Sequence, residues 1–124
     1  PDHPSQLNDH ACLVTQLFYG RPQHSWPLTR HGEIIDFPIN PAVVATDPEA
    51  LFEFLIRGQG IQLTNPHLVH QAVAAGDVVR ILPEWSGPSA TLYAVRAGGR
   101  VQPLKVRSFI DYLSENLENV LRLA

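Results

Sequence analysis

Histidine and aspartate are the side chains of this sequence that could bind a metal ion or move a proton. His67 and His70 are three positions apart on a predicted helix, a spacing that would let both face one zinc ion, but no third ligand lies at a recognised spacing. Asp36, Asp47 and Asp77 show no pairing typical of acid–base chemistry. The sequence also has no phosphate-binding loop, no Gly-x-Ser-x-Gly elbow and no Cys-x-x-Cys. We therefore predict no metal, no cofactor and no enzyme activity.

A ligand-binding site is predicted at the points where a strand is followed by a helix. Thr46 and Asp47 can cap one helix, and Thr64 and Asn65 can cap the next. In an open α/β sheet, ligands bind at the carboxyl ends of the strands, and helix N-termini attract carboxylates and other anions. The same residue types also cap helices in proteins that bind nothing there, so both interpretations stay open.

Tyr19 and Arg21 lie at and after the end of the first predicted strand and are expected at the same edge of the sheet. The predicted ligand contacts are therefore Tyr19, Arg21, Thr46, Asp47, Thr64 and Asn65. The expected ligand is a small molecule, with an anion as one candidate.

The elements that would position these residues alternate along the chain. The predicted strands are residues 12–19, 42–45, 60–64, 78–82 and 90–95, and the apolar run 42–45 is typical of a fully covered strand. One helix begins after Thr46 or Asp47 and stops at Gly58; another begins after Asn65 and stops at Gly76. Two strand–helix units within roughly 35 residues favour an α/β fold with a mixed, mostly parallel sheet flanked by helices.

The flanking segments follow other patterns. Residues 1–10 are polar, contain two prolines and predict an extended segment. Residues 26–39 alternate around a turn at Gly32, which predicts a β-hairpin; Pro27 and Pro38 would place it at a sheet edge. The C-terminal pattern predicts a long amphipathic helix whose apolar residues are Val106, Phe109, Ile110, Leu113, Leu117, Val120 and Leu121.

Composition excludes several classes of protein. The 124 residues are 44% hydrophobic with a net charge of −3. The apolar content and low net charge argue against a disordered tail, and the negative sign of the charge argues against a DNA-binding surface. No apolar run is long enough to span a membrane. Cys12 is the only cysteine, so no intrachain disulfide can form. Because the sequence contains no Met and starts with Pro1, we expect a fragment or a processed product.

An ordered set of short motifs resembles the C-terminal half of the effector-binding domain of LysR-type transcriptional regulators. The resemblance runs from about residue 7 to residue 115. The motifs are LNDHACL (7–13), Trp26, Ala50-Leu51, GQGI (58–61), AGDVVRILP (75–83), LYAV (92–95) and KVRSFIDYL (105–113).

The resemblance implies a lobe similar to those of type 2 periplasmic binding proteins, in which two lobes enclose a small effector. Residues 1–11 would lead into the lobe, 12–96 would form the second lobe, and 97–124 would cross back to the first. Promoter DNA would be bound only by an N-terminal helix-turn-helix absent from this chain, in a cytoplasmic homo-oligomer without membrane contact. Where many members have Leu-Pro, this chain has Thr64-Asn65 before Pro66, and Pro103-Leu104 replaces Ser-Pro. The first departure makes the cleft edge more polar.

Two other interpretations make different predictions. A lobe of a secreted solute-binding protein would have a signal sequence upstream and no helix-turn-helix. A small hydrolase using His67, His70 and Asp77 would carry zinc. Under the regulator interpretation, the apolar face of the C-terminal helix would lack its first-lobe partner. We therefore expect the chain to form a homodimer or a domain-swapped assembly, and to bind effector weakly by itself.

Overall fold

The computed structural model describes residues 1–16, 23–89, 93–95 and 103–122. The chain forms two compact units, Pro1–Pro88 and Ser89–Ala124. The strands are β1 (Ala11–Thr15), β2 (Ser25–Arg30), β3 (Glu33–Pro38), β4 (Asn40–Ala45) and β5 (Ile61–Gln62), and the α-helices are α1 (Pro48–Ile56), α2 (Pro66–Ala75) and α3 (Leu104–Arg122). This arrangement of a parallel sheet and helices confirms the predicted α/β fold class.

A parallel sheet of order β4-β1-β5 forms the centre of the first unit. Leu13 of β1 lies between Val43 of β4 and Gln62 of β5. The chain crosses from β4 to β5 through α1, because parallel strands need a long connection that a tight turn cannot provide. The backbone N–H of Gln16 also donates to the carbonyl of Ala45 at 2.8 Å, which extends the β1–β4 pairing by one residue.

The hairpin prediction is confirmed, and both of its strands are edge strands, but they form a sheet of their own and do not lie at the edge of the parallel sheet. β2 and β3 form a separate two-stranded antiparallel sheet, with Trp26 opposite Phe37. Thr29 exchanges two backbone hydrogen bonds with Ser86 on the outer side of β2. Because hydrogen-bonding directions alternate along a strand, Pro27 faces the same outer side, and its missing N–H removes no bond to β3.

The N-terminal segment is a 3-10 helix over Pro4–Asp9, and the prediction of an extended segment is wrong. The ring nitrogen Nδ1 of His3 accepts from the Ser5 N–H, and the Gln6 side chain accepts in return from the backbone of Asp2 and His3. Leu7 is buried in the main core cluster. Local capping and the burial of Leu7 together stabilise this compact turn.

Alternation along the parallel strands separates two faces of the sheet. Cys12 and Val14 belong to a core that packs on the hairpin and the N-terminal helix, with Ile61 and Leu63 beside it. On the other face, α1 packs on β1 and β4 and buries Leu51. The parallel sheet is therefore covered on one face by the hairpin and the N-terminal helix and on the other by α1.

The loop after α2 is attached to the hairpin by aromatic and charged contacts. The Trp85 ring meets Phe37 edge-on, with 5.2 Å between centroids, and meets His3 in the same way at 5.8 Å. The Arg30 guanidinium lies 5.7 Å from the centroid of Trp85 and pairs with Glu84 at 2.6 Å. These contacts, together with the Thr29–Ser86 bridge, fix the path of the chain before it leaves the first unit.

The predicted strand 42–45 forms within β4, but other strand predictions fail within the described residues. Residues 78–82 form no strand, and Val79 is 78% exposed. Tyr93–Val95 are also not in a strand, while the rest of the predicted strand 90–95 lies outside the described residues. β4 is not fully covered, because its residues alternate between exposed and half-buried. β4 forms the outer strand of its sheet, so its apolar residues lack a neighbour on one side.

The second unit contains α3, which confirms the predicted C-terminal amphipathic helix. Its half-buried residues include Val106, Ile110, Leu113 and Leu117, whereas Leu104, Phe109 and Tyr112 are exposed. In the part of the chain that the structure describes, no helix is both long and apolar enough to cross a membrane.

Candidate functional site

Both predicted cap pairs lie at one edge of the parallel sheet. Strands β4 and β5 run in the same direction as β1, so Thr46-Asp47 after β4 and Thr64-Asn65 after β5 leave the sheet on the same side. This is the edge at which open α/β sheets bind ligands. Tyr19 and Arg21, the other predicted contacts, lie outside the described residues.

The two cap residues hold their own helices. Asp47 Oδ1 accepts a hydrogen bond from the Glu49 N–H at 3.0 Å, and Asn65 Oδ1 accepts from the His67 N–H at 2.9 Å. Each helix begins with a proline, Pro48 or Pro66, which has no N–H to offer. An anion would therefore find fewer free N–H groups here than the capping pattern suggests. In each helix the proline has no N–H, and the N–H of the following residue already donates to the cap side chain.

The charges near α1 also disfavour an anion. Asp47 is the cap of this helix, and Glu49 is acidic in its first turn. Both carboxylates interact favourably with the positive end of the helix dipole, but they would repel a bound anion. Of the predicted contacts, Arg21 alone could supply a compensating cation, and it lies outside the described residues.

An open cleft with a volume of about 140 Å³ lies between the first turns of α1 and α2. Thr64 is the one predicted site residue among those lining it; Thr46, Asp47 and Asn65 do not line it. The lining residues are Pro48, Glu49, Phe52, Gln62, Thr64, Leu68 and Val69. Sequence reasoning therefore missed most of this surface, including Gln62. The sequence did contain one indication of this surface. Polar and apolar residues alternate over 61–64, which places Gln62 and Thr64 on one side of the chain and Ile61 and Leu63 on the other.

Gln62 carries an unusual polar atom. Its side-chain Oε1 is buried, and it has no hydrogen-bond partner among the described residues. The neighbouring strand offers the apolar Leu13 at the same level of the sheet. A buried acceptor without a partner lacks the compensation that buried polar groups ordinarily have.

A second cavity, of about 90 Å³, lies on the hairpin side of β5, and Gln62 lines both cavities. Its walls come from the N-terminal helix, β2 and the segment before Gly87, and both tryptophans, Trp26 and Trp85, line it. Leu7, Leu28, Ile61 and Leu63 also line it, and all four belong to the main core or pack against it. We assign this space to the packing of the core.

The two histidines at a zinc-ligand spacing are arranged along one helix. His70 Nδ1 lies 2.8 Å from the backbone carbonyl of His67, so one ring nitrogen is already engaged with the backbone. The described residues contain no group of three or more His, Cys, Asp or Glu side chains that could hold a metal ion.

Cys12 is a buried thiol on the hairpin side of the sheet. Burial raises the pKa of Cys12, and a hydrogen bond with the backbone of Asn40 acts in the opposite direction. Because the folded pKa is the higher one, the protonated thiol stabilises the fold fully below the unfolded pKa. This stabilisation is lost as the pH rises through the folded pKa.

We predict that Cys12 reacts slowly with a thiol reagent while the chain is folded. At pH 8, labelling by a disulfide reagent should be on the order of 100-fold slower in buffer than in concentrated urea, because the thiolate is disfavoured and enclosed. Stopped-flow absorbance would measure both rates. A native rate equal to the rate in urea would mean that Cys12 is accessible.

Comparisons with known proteins match nearly the whole chain. The family model described as the LysR substrate binding domain matches residues 1–118. An HTH-type transcriptional regulator of Xanthomonas campestris is 38% identical over 121 residues, covering 94% of this chain and 35% of that protein. The HTH-type transcriptional regulator PtxR of Pseudomonas aeruginosa is 30% identical over 93 residues, covering 75% of this chain and 30% of PtxR.

The fold also matches a solved regulatory domain. The regulatory domain of AphB from Vibrio vulnificus superposes with a TM-score of 0.71 at 29% identity, covering 93% of this chain and 56% of the AphB chain. The chain spans about a third of the length of the curated relatives described above.

Proposed function

Since this chain belongs to the LysR substrate-binding domain family, we propose that it is the effector-sensing second lobe of a LysR-type transcription regulator. The resemblance inferred from the sequence motifs is thereby confirmed, and the relatives described above are transcriptional regulators rather than enzymes or secreted binding proteins. The observation that carries the proposal is the shared edge at which β4 and β5 end, with a cleft beside Thr64.

The proposed action follows from a two-lobed cleft. Residues 12–96 would form the second lobe and residues 97–124 would return to the first, with residues 1–11 leading in. A small effector would bind between the lobes, contacting Thr46, Asp47, Thr64 and Asn65 here, with Tyr19 and Arg21 on the same rim. A ligand that binds the closed arrangement better shifts the population toward it, and closure would rearrange subunits of a cytoplasmic homo-oligomer. DNA would be bound by an N-terminal helix-turn-helix of the full-length protein.

The test uses the full-length regulator and a reporter gene under its own promoter. Thermal unfolding in the presence of a panel of metabolites should identify at least one that raises Tm, and that metabolite should change reporter output. In Asn65→Ala and Thr64→Val the effector concentration for half response should rise roughly tenfold, the effect of losing a good polar contact. Asn65→Asp keeps the helix cap and serves as the folding control. A parent gene that encodes a secretion signal and no helix-turn-helix would refute the proposal.

We further predict that the 124-residue chain associates through α3. Leu104, Phe109 and Tyr112 are exposed on this helix, and removing several such side chains from water is worth roughly 1.5–3 kcal/mol each. Light scattering should give a mass of at least twice the 13.8 kDa of one chain. Phe109→Ser should lower this mass, whereas Lys105→Ser should not. A monomer at high concentration would contradict the prediction.

A further inference from the structure

We propose that the cleft between α1 and α2 binds a small protonated amine with an apolar body, such as an aryl or alkyl ammonium ion. This inference rests on the proposed function and names the chemical class of ligand that this lobe would select. Two observations carry it. The cleft is open and has mainly apolar walls, and the acidic residue in those walls, Glu49, takes part in no ion pair among the described residues.

The walls of the cleft suit an apolar group. Pro48 and Phe52 contribute surface from α1, and Leu68 and Val69 contribute surface from α2. Leu68 is 63% exposed, so a ligand here would cover apolar surface that the protein leaves in water, which is favourable. The volume of about 140 Å³ is similar to that of apolar cavities of about 150 Å³ that take up benzene. One ring or one short alkyl chain therefore fits.

Glu49 gives this apolar cleft a negative charge. It lines the cleft from the first turn of α1, so its carboxylate is within one side-chain length of a molecule bound there. The ion pairs among the described residues involve Glu53, Glu84 and Asp111. None of them involves Glu49, and the described residues that line the cleft include no lysine or arginine. A cationic ligand would supply the missing partner.

The positive ends of the two helices do not reverse this charge. Each helix N-terminus carries about half a positive charge, and the first turns of α1 and α2 both line the cleft. Asp47 caps α1, and Glu49 follows it in the first turn. These two carboxylates outweigh the two helix ends by about one negative charge. The cleft therefore favours a cation over a neutral molecule, and a neutral molecule over an anion.

The experiment compares three ring compounds of similar size, binding to the 124-residue chain at neutral pH. Benzylamine is a cation, benzyl alcohol is neutral, and benzoate is an anion. In ¹⁵N-resolved NMR titrations at low salt, benzylamine should shift the amide signals of Thr64, Leu68 and Val69 with a millimolar dissociation constant. Benzyl alcohol should bind roughly fivefold more weakly, the effect of losing one pair of opposite charges about 4 Å apart in water, and benzoate more weakly again. In about 1 M salt, where the screening length is about 3 Å, the preference for benzylamine should largely disappear.

The decisive variant is Glu49→Gln, which keeps the length of the side chain and removes its charge. It should abolish the preference for benzylamine over benzyl alcohol while retaining the binding of benzyl alcohol. Glu53→Gln is the matched control, because Glu53 lies one turn further along α1, is not among the lining residues and pairs with Arg57 at 3.5 Å. This control removes the same charge from the same helix and should leave the preference in place.

Several results would overturn the inference. Equal binding of benzylamine and benzyl alcohol would mean that another cation of the chain, such as Arg21, already neutralises Glu49. Tighter binding of benzoate, or no shift at the three reporter amides, would also contradict it. So would an unchanged preference in Glu49→Gln, or an equal loss in Glu53→Gln, which would show an effect of net charge and not of a contact in the cleft. None of these results bears on the reporter response of the full-length regulator, so failure here is distinguishable from failure of the proposed function.

Discussion

Leu51→Ala is expected to lower the free energy of unfolding by about 2–5 kcal/mol. Leu51 is completely buried in α1, the helix that covers one face of the parallel sheet. Alanine would remove its contacts and leave a cavity that β1 and β4 could close only in part. Such a loss is a large share of the stability of a small domain, so urea unfolding followed by circular dichroism should show a much lower midpoint.

Leu68→Ala is the matched control, because it makes the same change in a helix at an exposed position. Leu68 lies in α2 and is 63% exposed, so Leu68→Ala should change the free energy of unfolding by no more than about 0.5 kcal/mol. Similar losses for the two variants would contradict the packing of α1 on the sheet. They would point instead to an effect common to leucines in helices, such as a change in the unfolded chain.

The helices were predictable because their signals are local. Asp47 and Asn65 each precede a proline at the first helical position, and each side chain accepts the N–H two residues on. The helices end before Gly58 and at Gly76, as the sequence indicates. The sequence is also compatible with a capping box between Thr46 and Glu49, but the structure uses Asp47 as the cap. The choice between adjacent cap residues depends on backbone dihedrals that composition does not specify.

The strand errors have a different origin. Residues 78–82 have the apolar, β-branched composition of a strand, but a strand also needs a neighbour to complete its hydrogen bonds. Leu82 adopts a left-handed φ of 50°, which ends any extended run, and Ser86 pairs with Thr29 instead. β4 was expected to be covered because Val43 and Val44 are apolar, yet coverage depends on its position in the sheet order. Pairing between distant segments is the information that a local pattern lacks.

The candidate site was predictable in position but not in chemistry. The edge of the sheet follows from two strand–helix units, and Thr64 does line the cleft there. Each helix start offers an anion fewer free N–H groups than the capping pattern suggests, because a proline removes the first donor and the cap side chain occupies the next. Gln62 could not be singled out, because a polar residue in a strand ordinarily faces solvent. The burial of its side-chain oxygen depends on contacts with segments distant in the chain, which no window of sequence contains.

Gly60→Ala is expected to destabilise the chain by about 2–3 kcal/mol through a steric clash between strands. A Cβ on Gly60 would lie 2.5 Å from the carbonyl oxygen of Ala11 and 3.3 Å from a methyl carbon of Leu13. The oxygen belongs to the backbone of β1, next to β5, so it cannot rotate away. The two strands would have to separate, and the register that joins Cys12 to Ile61 would be strained.

Gly32 gives the matched control, since glycine is needed there for a different reason. It adopts a φ of 82° in the hairpin turn, and nothing lies within 4 Å of the position that a Cβ would take. Gly32→Ala should cost roughly 1 kcal/mol, and Gly32→Asn should recover part of this, because asparagine tolerates left-handed backbone. Gly60→Asn should recover nothing, because its defect is contact and not φ. Urea midpoints of the four variants test the distinction, and recovery at position 60 would show that β1 and β5 approach less closely than the structure indicates.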